Sequence, residues 1–249
     1  MLFRSLDIFL CENNYVKSRS KAKELIEKGS VMVDGRVVAK PSFDIEVGKI
    51  EIDETAMPFV GRGGLKLEAA LDAFDIDVKD LRCIDVGAST GGFTDCLLQR
   101  GASHVLAVDC GHGQLDRDLA NDRRVSQLEG FNARNLSIEA TGEYFDVAVM
   151  DVSFISQTLI HAPLASVLKK NAPFVTLIKP QFEAGRKSLS NKGIVKNESD
   201  RKAALNKVFE SAGANGFSLI GHIESPIKGG DGNTEYLAAF VYNGKEALC

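Results

Sequence analysis

Apolar and polar positions follow two different patterns along this chain. From about residue 80 onward, short apolar runs are separated by helix-length amphipathic segments, for example over 93–100 and 201–212. This alternation favours right-handed βαβ crossovers. It therefore predicts an α/β fold with a Rossmann-like, mostly parallel sheet covered by helices on both faces. The apolar runs predict strands over 82–86, 104–109, 145–151, 174–179, 218–224 and 236–242.

The first sixty residues form a region with another pattern. A short amphipathic segment near the start is followed by a second over 18–28, which stops at Gly29. Asp34 and Gly35 between two apolar triplets predict a tight hairpin turn. We therefore predict a small N-terminal α+β domain over 1–56, an interdomain linker over 57–65 and the α/β domain over 66–249.

Composition narrows the class of protein. Of the 249 residues, 44% are hydrophobic and 26% are charged, which is ordinary for a soluble globular protein. Five cysteines without a C-x-x-C pair and four histidines without metal-ligand spacing predict reduced thiols and no metal site. No segment approaches the roughly 18 apolar residues of a membrane span, and charges interrupt the opening apolar run, unlike a secretory signal. We expect a cytoplasmic protein with no membrane partner.

Positive charge is concentrated in the N-terminal domain, although the net charge of the whole chain is −4. Most of it lies on the second helical segment, with further basic residues on the hairpin that follows. A solvated helix face explains such a pattern in isolation. In an acidic protein, a local basic cluster also suits RNA phosphates. The predicted RNA-binding residues are Arg4, Lys17, Arg19, Lys21, Lys23, Arg36 and Arg62.

A glycine-rich loop follows the first strand of the α/β region and leads into a helix. Such a loop brings a ligand close to bare backbone, and the helix N-terminus offers unpaired N–H groups to an anionic group. Its G-x-x-x-G-G spacing differs from the dinucleotide G-x-G-x-x-G, and an aspartate before it suits a cationic amino group. A purely structural glycine turn is the alternative. The predicted cofactor contacts here are Asp85, Gly87, Ala88, Ser89, Thr90, Gly91, Gly92 and Phe93.

Further polar residues extend the predicted cofactor pocket. Asp109 ends the second strand, where a carboxylate accepts hydrogen bonds from ribose hydroxyls. Gln114 and Asn132 are candidates for the same pocket, with a structural asparagine in a loop as an equal alternative. These features favour S-adenosyl-L-methionine over a nicotinamide, because its amino-acid end needs an acidic neighbour and its ribose needs an acceptor. The phenylalanines are interpreted as core residues rather than a base-stacking platform.

Ionic side chains follow two further strands. Asp151 closes one apolar run and Lys179 closes the next, and the carboxyl ends of parallel strands meet in the ligand crevice of an open α/β sheet. A lysine in so apolar a run is costly unless it is paired or functional, and Asp151 is its predicted partner. If the last strand runs antiparallel, as we expect, Glu235 at its start lies beside Lys179. Lys66, on a helix that follows the linker, is the fourth candidate.

Five motifs give the chain a resemblance to a known family: R-G-G-L-K-L at 62–67, D-V-G-A-S-T-G-G-F at 85–93, D-V-S-F-I-S at 151–156, K-P-Q-F-E at 179–183 and G-N-T-E-Y at 232–236. As a set they resemble the TlyA-like ribosomal RNA 2′-O-methyltransferases, in which an S4-type RNA-binding domain is fused to an FtsJ-like (RrmJ-like) methyltransferase domain. The resemblance supplies that family's catalytic tetrad as Lys66, Asp151, Lys179 and Glu235.

The resemblance also implies a reaction and its partners. S-adenosylmethionine is the implied cofactor, Asp151 contributes to its pocket, and a cytidine 2′-hydroxyl in ribosomal RNA or a ribosomal subunit is the implied acceptor. The few residues after Glu235 imply the subtype that modifies the large subunit alone. We expect a monomer that needs no metal.

The residue types of the tetrad suit ribose methylation. That reaction requires a poor nucleophile to be aligned with the sulfonium methyl and relieved of its proton. Lys179 is either the base or, if it stays charged, the group that stabilises the developing alkoxide. Asp151 and Glu235 fix its orientation.

Three other functions compete with this interpretation. The glycine spacing disfavours a nicotinamide-dependent oxidoreductase. A non-enzymatic RNA-binding or ribosome assembly factor leaves the four ionic residues unexplained. A haemolysin-like, membrane-lysing activity, a label attached to relatives in this family, has no membrane span or strongly amphipathic helix to support it.

Overall fold

The computed structural model describes residues 4–13, 15–16, 18–45, 48–53 and 58–244 of the chain. The chain divides into two compact units, Met1–Gly61 and Arg62–Cys249. Lys17, one of the predicted RNA contacts, and part of the predicted linker lie outside the described residues.

The first unit is built from two short helices and several short strands. Helix α1 (Leu6–Glu12) and helix α2 (Arg19–Glu27) bury their apolar faces in one small core. Ser18 caps α2 by accepting a hydrogen bond from the Lys21 backbone N–H at 3.2 Å. The predicted α+β character of this region is confirmed. Its strands among the described residues are β1 (Arg4–Ser5), β2 (Val31–Val33), β3 (Arg36–Val37), β4 (Asp44–Ile45) and β5 (Ile50–Ile52), arranged as β1–β4 and β3–β2–β5.

A mostly parallel sheet is the framework of the second unit. Its strands among the described residues are β6 (Arg82–Val86), β7 (His104–Val108), β8 (Val125–Leu128), β9 (Val147–Met150), β10 (Pro173–Ile178), β11 (Phe217–Glu224) and β12 (Tyr236–Tyr242). Their order in the sheet is β11-β12-β10-β9-β6-β7-β8. Strands β10, β9, β6, β7 and β8 pair in parallel, whereas β12 is antiparallel to both its neighbours. The predicted fold class is confirmed.

Helices cover the sheet of the second unit. Every residue of β9 is buried, as expected for a central parallel strand that is covered on both faces. Within the residues described, no helix combines the length and the apolarity needed to cross a bilayer. The helices are α3 (Gly63–Ala73), α4 (Gly92–Gln99), α5 (Arg117–Ala120), α6 (Ile138–Thr141), α7 (His161–Ala165), α8 (Pro180–Glu183) and α9 (Glu198–Ala214).

The register of the sheet determines which residues meet at its carboxyl edge. Ile178 of β10 pairs with Tyr236 of β12, so antiparallel pairing makes Lys179 and Glu235 the next opposing positions. Strand β9 ends at Met150 beside β10, so Asp151 leaves the sheet at the same edge. The prediction that the last strand runs antiparallel is therefore confirmed.

Two predicted boundaries differ from the structure for identifiable reasons. Strand β9 begins after Asp146, because that side chain accepts hydrogen bonds from the Arg82 backbone and from Lys169 at the start of the sheet. Helix α3 begins at Gly63, inside the predicted linker. A Cβ at Gly63 would lie 3.3 Å from the ring of Phe93, so glycine here lets α3 approach that ring closely.

Candidate active site

Two lysine–carboxylate pairs lie at the carboxyl edge of the sheet. Lys66 Nζ donates a hydrogen bond to Glu235 Oε2 at 2.5 Å. Lys179 Nζ lies 2.5 Å from Asp151 Oδ1, in an ion pair whose angle is outside hydrogen-bond geometry, and it donates a hydrogen bond to Ser153 Oγ at 2.8 Å. Because Lys179 and Glu235 take opposing strand positions, the structure brings the four residues of the predicted tetrad to one edge of the sheet.

The two pairs differ in their access to solvent. The side chains of Lys66 and Glu235 are 10% and 3% exposed, whereas those of Lys179 and Asp151 are 13% and 24% exposed. Lys66 lies on the buried face of α3 together with Leu67, so this helix carries a charge into the core. A buried charge is tolerated when it is paired, and Glu235 supplies the partner. We call Lys66–Glu235 the inner pair and Lys179–Asp151 the outer pair.

A cavity of 530 Å³ opens beside the outer pair. One part of its wall is the segment that begins at Asp151, and another is the segment around Phe131. A largely apolar lining with a few polar groups is typical of a site that encloses a small organic molecule and orients it. The sequence-predicted residues that line this cavity are Gly87, Ser89, Asp109, Gln114, Asn132 and Asp151.

The carboxylate of Asp109 is fixed in the cavity wall by two backbone donors. The Ser89 N–H donates to Oδ2 at 2.8 Å, and the Gly111 N–H donates to Oδ1 at 2.7 Å. Each carboxylate oxygen has more than one acceptor site, so this carboxylate retains capacity for two further donors. It is therefore an oriented acceptor at the end of a parallel strand. The amide oxygen of Asn132 instead accepts from the Arg134 N–H at 3.1 Å, which caps a short 3₁₀ turn.

The glycines of the loop after β6 serve close packing. Gly87 has a φ of 88°, and a Cβ there would lie 2.3 Å from the carbonyl oxygen of Asp151. The glycine thus lets the loop touch the segment that carries a tetrad residue. The structure places the other predicted loop contacts off the cavity wall, and Phe93 is a core residue with 3% exposure. These off-wall residues are Ala88, Thr90, Gly91, Gly92 and Phe93.

Asp85 lies beneath the loop and not on the cavity wall. It is fully buried, its Oδ2 accepts a hydrogen bond from Thr94 Oγ1 at 2.7 Å, and its Oδ1 has no hydrogen-bond partner among the described residues. Burial raises the pKa of Asp85 to about 7, the hydrogen bond from Thr94 opposes this rise, and the charge of Asp151 adds to it. Asp85 is therefore a titrating group near neutral pH directly under the glycine loop.

This raised pKa predicts a pH-dependent stability. Below about pH 4 the carboxyl is protonated in both the folded and the unfolded chain. As the pH rises towards 7, only the unfolded chain releases the proton, so the free energy of unfolding falls. We expect the free energy of unfolding of the Asp85→Asn variant, relative to that of the parent, to increase by roughly 2–3 kcal/mol between pH 5 and pH 8.

Urea unfolding at the two pH values measures this difference. Asp231→Asn, at an exposed aspartate, is the matched control and should show no such growth. A constant difference between Asp85→Asn and the parent at pH 5 and pH 8 would contradict the prediction.

Phe154 is a site residue that the sequence interpretation missed. The sequence predicts that the phenylalanines are core residues, and this prediction is wrong for Phe154, which is 92% exposed with a φ of 64°. Its ring packs on Phe182, with 5.2 Å between the ring centroids. It also lines the cavity beside Asp151. The signal in the sequence was its place three residues after a strand-end aspartate, in a polar segment where an apolar ring has no core to enter.

The predicted RNA contacts of the first unit have different surroundings. Lys23 and Arg36 are exposed. Arg19 Nε donates to the buried carboxylate of Asp7 at 2.7 Å, and Arg4 pairs with Glu12, so part of this charge is neutralised within the unit. Lys21 donates to the Phe59 carbonyl at 2.9 Å. The remaining predicted contact, Arg62, belongs to the second unit and is exposed there.

Two family models match the chain, one for each unit. The FtsJ-like methyltransferase model matches residues 59–242, which is well over half of the chain, and the S4 domain model matches residues 4–50. The chain belongs to the FtsJ-like methyltransferase family. The resemblance inferred from the motifs is confirmed.

Relatives of this FtsJ-like methyltransferase cover nearly its whole length. Hemolysin A of Brachyspira hyodysenteriae is 44% identical over 239 residues, covering 95% of this chain and 99% of the relative. The 16S/23S rRNA (cytidine-2′-O)-methyltransferase TlyA of Mycobacterium tuberculosis is 40% identical over 233 residues, covering 93% and 87%. A solved structure from Streptococcus thermophilus, provisionally named a hemolysin, has a TM-score of 0.77 at 40% identity and covers 98% of this chain and 90% of its own.

A more distant structure supports the fold alone. An S-adenosylmethionine dependent methyltransferase from Mesorhizobium loti has a TM-score of 0.54 at 16% identity, covering 73% of this chain and all of its own. The cavity of this FtsJ-like methyltransferase fits an adenosyl group, because Asp109 offers an oriented acceptor for ribose hydroxyls and Phe131 and Ala133 offer an apolar wall for a purine. Within the described part of the chain, no cluster of three or more His, Cys, Asp or Glu side chains is arranged to hold a metal ion.

Proposed function

We propose that this protein transfers a methyl group from S-adenosylmethionine to the 2′-hydroxyl of a cytidine in ribosomal RNA, with large-subunit RNA as the substrate. The observation that carries the proposal is the outer pair, a lysine and a carboxylate held 2.5 Å apart beside a cavity with adenosyl chemistry. The name of the Mycobacterium tuberculosis relative states a cytidine-2′-O-methyltransferase activity for that protein.

Residues of the cavity wall would hold the cofactor. Asp109 would accept hydrogen bonds from the ribose hydroxyls, and Phe131 with Ala133 would enclose the purine. Gly87 and Ser89 bring backbone to the same wall, and Asp85, whose pKa burial raises to about 7, lies beneath the loop. S-adenosylmethionine supplies a methyl group on a sulfonium that leaves as a neutral thioether, so a metal is not needed to activate the donor.

The tetrad would prepare the acceptor hydroxyl. We assign Lys179 Nζ, which lies in the ion pair with Asp151, to hydrogen-bond the hydroxyl oxygen and to stabilise the negative charge that develops there as the hydroxyl proton passes to solvent. Ser153 accepts a hydrogen bond from the same ammonium and so fixes its direction. The inner pair holds the strand position opposite Lys179 and keeps α3 joined to the sheet edge.

The N-terminal unit would dock the RNA. We assign this role to the domain over 1–56, with the linker over 57–65 and the catalytic domain over 66–249, acting as a monomer in the cytoplasm. The exposed Lys23 and Arg36 are the first candidates for phosphate contacts. Arg19 contributes less, because its guanidinium is held by Asp7.

The experiment for this proposal is methyl transfer to purified ribosomal subunits. The full chain is incubated with labelled S-adenosylmethionine and with large or small subunits, and the modified nucleotide is mapped as ribose-methylated cytidine. Label on the large subunit alone supports the full proposal. Label on both subunits corrects the choice of subunit, and the absence of label from either RNA rejects the proposed activity.

The exposed ring of Phe154 leads to a prediction about the KM for RNA. We expect Phe154→Ala to raise the KM for RNA by about ten- to a hundredfold, because an exposed ring beside the outer pair is placed to stack on a base, and base–aromatic stacking contributes about 1–3 kcal/mol. Phe154→Tyr keeps the stacking surface and should retain most of the affinity for RNA. Steady-state kinetics with RNA as the varied substrate measure the effect, and an unchanged KM in the alanine variant would contradict it.

A further inference from the structure

The segment 151–156 carries much of the candidate site without being a helix or a strand. It contains Asp151 of the outer pair, Ser153, which accepts from Lys179, and the exposed Phe154. Phe154 has a left-handed φ of 64°, a conformation that is costly for a bulky side chain and persists where the surroundings hold it. The contacts that fix this segment therefore determine where two site residues stand.

The start of the segment is held by the sheet and by the outer pair. The Asp151 N–H donates to the Val86 carbonyl at 2.9 Å, and Lys179 contacts both Asp151 and Ser153. These contacts hold the start of the segment. The far end, beyond Phe154, is held by other groups.

Glu183 holds the far end of the segment. This glutamate is 6% exposed and lies in α8, which follows Lys179 directly. Its Oε2 accepts a hydrogen bond from Ser156 Oγ at 2.5 Å, and its Oε1 accepts one from the Gln157 backbone N–H at 2.8 Å. One short stretch of chain, 179–183, thus anchors both ends of the segment.

Further contacts keep the Glu183 anchor rigid. Gln157 is buried, and its Oε1 accepts from Thr176 Oγ1 of β10 at 2.8 Å. Lys207 of α9 lies 3.3 Å from Glu183 Oε2 and donates to the Glu183 carbonyl at 3.1 Å. The carboxylate is thus tied to a strand through Gln157 and to a long helix through Lys207.

We propose that Glu183 is a positioning residue for methyl transfer, which holds segment 151–156 so that Asp151 and Phe154 stand beside the acceptor hydroxyl. This inference rests on the proposed function. Glu183 acts through Ser156 and Gln157 and does not itself line the cavity. Its importance comes from geometry, since displacing a reacting group by about an ångström can slow a reaction on the order of a hundredfold.

The test is Glu183→Gln in the full chain, with Ser156→Ala as the smaller change and Glu198→Gln as the matched control. Glu198 is exposed and pairs with Lys202, so its amide should leave turnover unchanged. An amide at position 183 loses one of the two acceptor oxygens. We expect kcat to fall by about ten- to a hundredfold. The dissociation constant for S-adenosylmethionine should rise by a smaller factor, because segment 151–156 forms only part of the cavity wall and Asp109 and Phe131 keep their places.

Two further measurements separate positioning from loss of folding. Hydrogen–deuterium exchange should become faster in a peptide that spans 151–157 and stay unchanged in β6 and β7. As a single variant, Ser156→Ala should slow turnover. Combined with Glu183→Gln it should add little to the loss, because both changes remove the same contact between Ser156 and Glu183. If Glu183→Gln does not fold, Ser156→Ala alone decides by the same readouts.

Parental turnover and exchange in Glu183→Gln, or in Ser156→Ala where Glu183→Gln does not fold, would overturn the inference. Fully additive losses in the double variant would overturn it as well. Hydrogen–deuterium exchange is measured without RNA and therefore tests the Glu183 contacts independently of the reaction. If the parent protein methylates no RNA, the proposed function is rejected, whereas unchanged exchange in the variants rejects the role of Glu183.

Discussion

Replacing Lys179 with alanine is expected to slow methyl transfer by roughly 10²- to 10⁴-fold, the range for loss of a group that moves a proton or stabilises charge in the transition state. The side chain contacts Asp151 and Ser153 at the cavity edge but does not line the cavity. Its removal therefore deprives the acceptor hydroxyl of its cation. We expect the dissociation constant for S-adenosylmethionine to change by less than about threefold, because the groups assigned to its ribose and purine are untouched.

Single-turnover transfer of labelled methyl and calorimetric titration of the cofactor measure the two quantities separately. Lys202→Ala is the matched control, since Lys202 is an exposed lysine of α9 that pairs with Glu198 away from the cavity. If Lys179→Ala transferred methyl at the parental rate, the outer pair would have no role in the reaction. An equal loss of cofactor affinity would instead assign Lys179 to cofactor binding.

The inner pair is expected to matter for folding and for catalysis in separable ways. Lys66→Met leaves Glu235 as a buried carboxylate without its partner, and Glu235→Leu leaves a buried ammonium. Each single change should lower the free energy of unfolding by about 3–5 kcal/mol, the usual cost of breaking a buried ion pair from one side. Both should also abolish methyl transfer, because the strand position opposite Lys179 is then disturbed.

The double variant Lys66→Met with Glu235→Leu tests the coupling. Replacing both partners with apolar side chains of similar volume removes both charges, so most of the lost stability should return while transfer stays absent. Urea unfolding and the transfer assay are run on all four proteins. Additive losses of stability would show that the two residues are independent, and a double variant with full activity would make the inner pair purely structural.

Much of the fold could be predicted because its patterns are local. An apolar run of five to seven residues reports a buried strand, and the run at 236–242 predicts the bounds of β12 as observed. The antiparallel direction of β12 could be expected only together with the function, since it is what brings Glu235 to Lys179. Boundaries failed where contacts from a distant segment decided them, as the Arg82 backbone N–H and the Lys169 side chain do at Asp146.

The candidate site was predictable in its ionic residues and less so in their surroundings. A charged residue that ends an apolar run stands out in the sequence, as Asp151 and Lys179 do. Asp85 stands out in the same way, yet the sequence could not reveal that Thr94 and the glycine loop enclose it. The exposure of Phe154 depends on a left-handed backbone conformation at a non-glycine residue, which composition and periodicity do not report.

The position of β12 has a consequence for synthesis of the protein. This strand is the last of those described, yet it lies between β10 and β11 in the interior of the sheet. While the ribosome has not yet made residues 236–242, β10 and β11 have no shared neighbour, and each offers an open row of backbone donors and acceptors to other chains. Nascent or truncated chains therefore expose two unpaired strand edges. Chaperones or proteases should act on these chains before Glu235 and β12 have been synthesised.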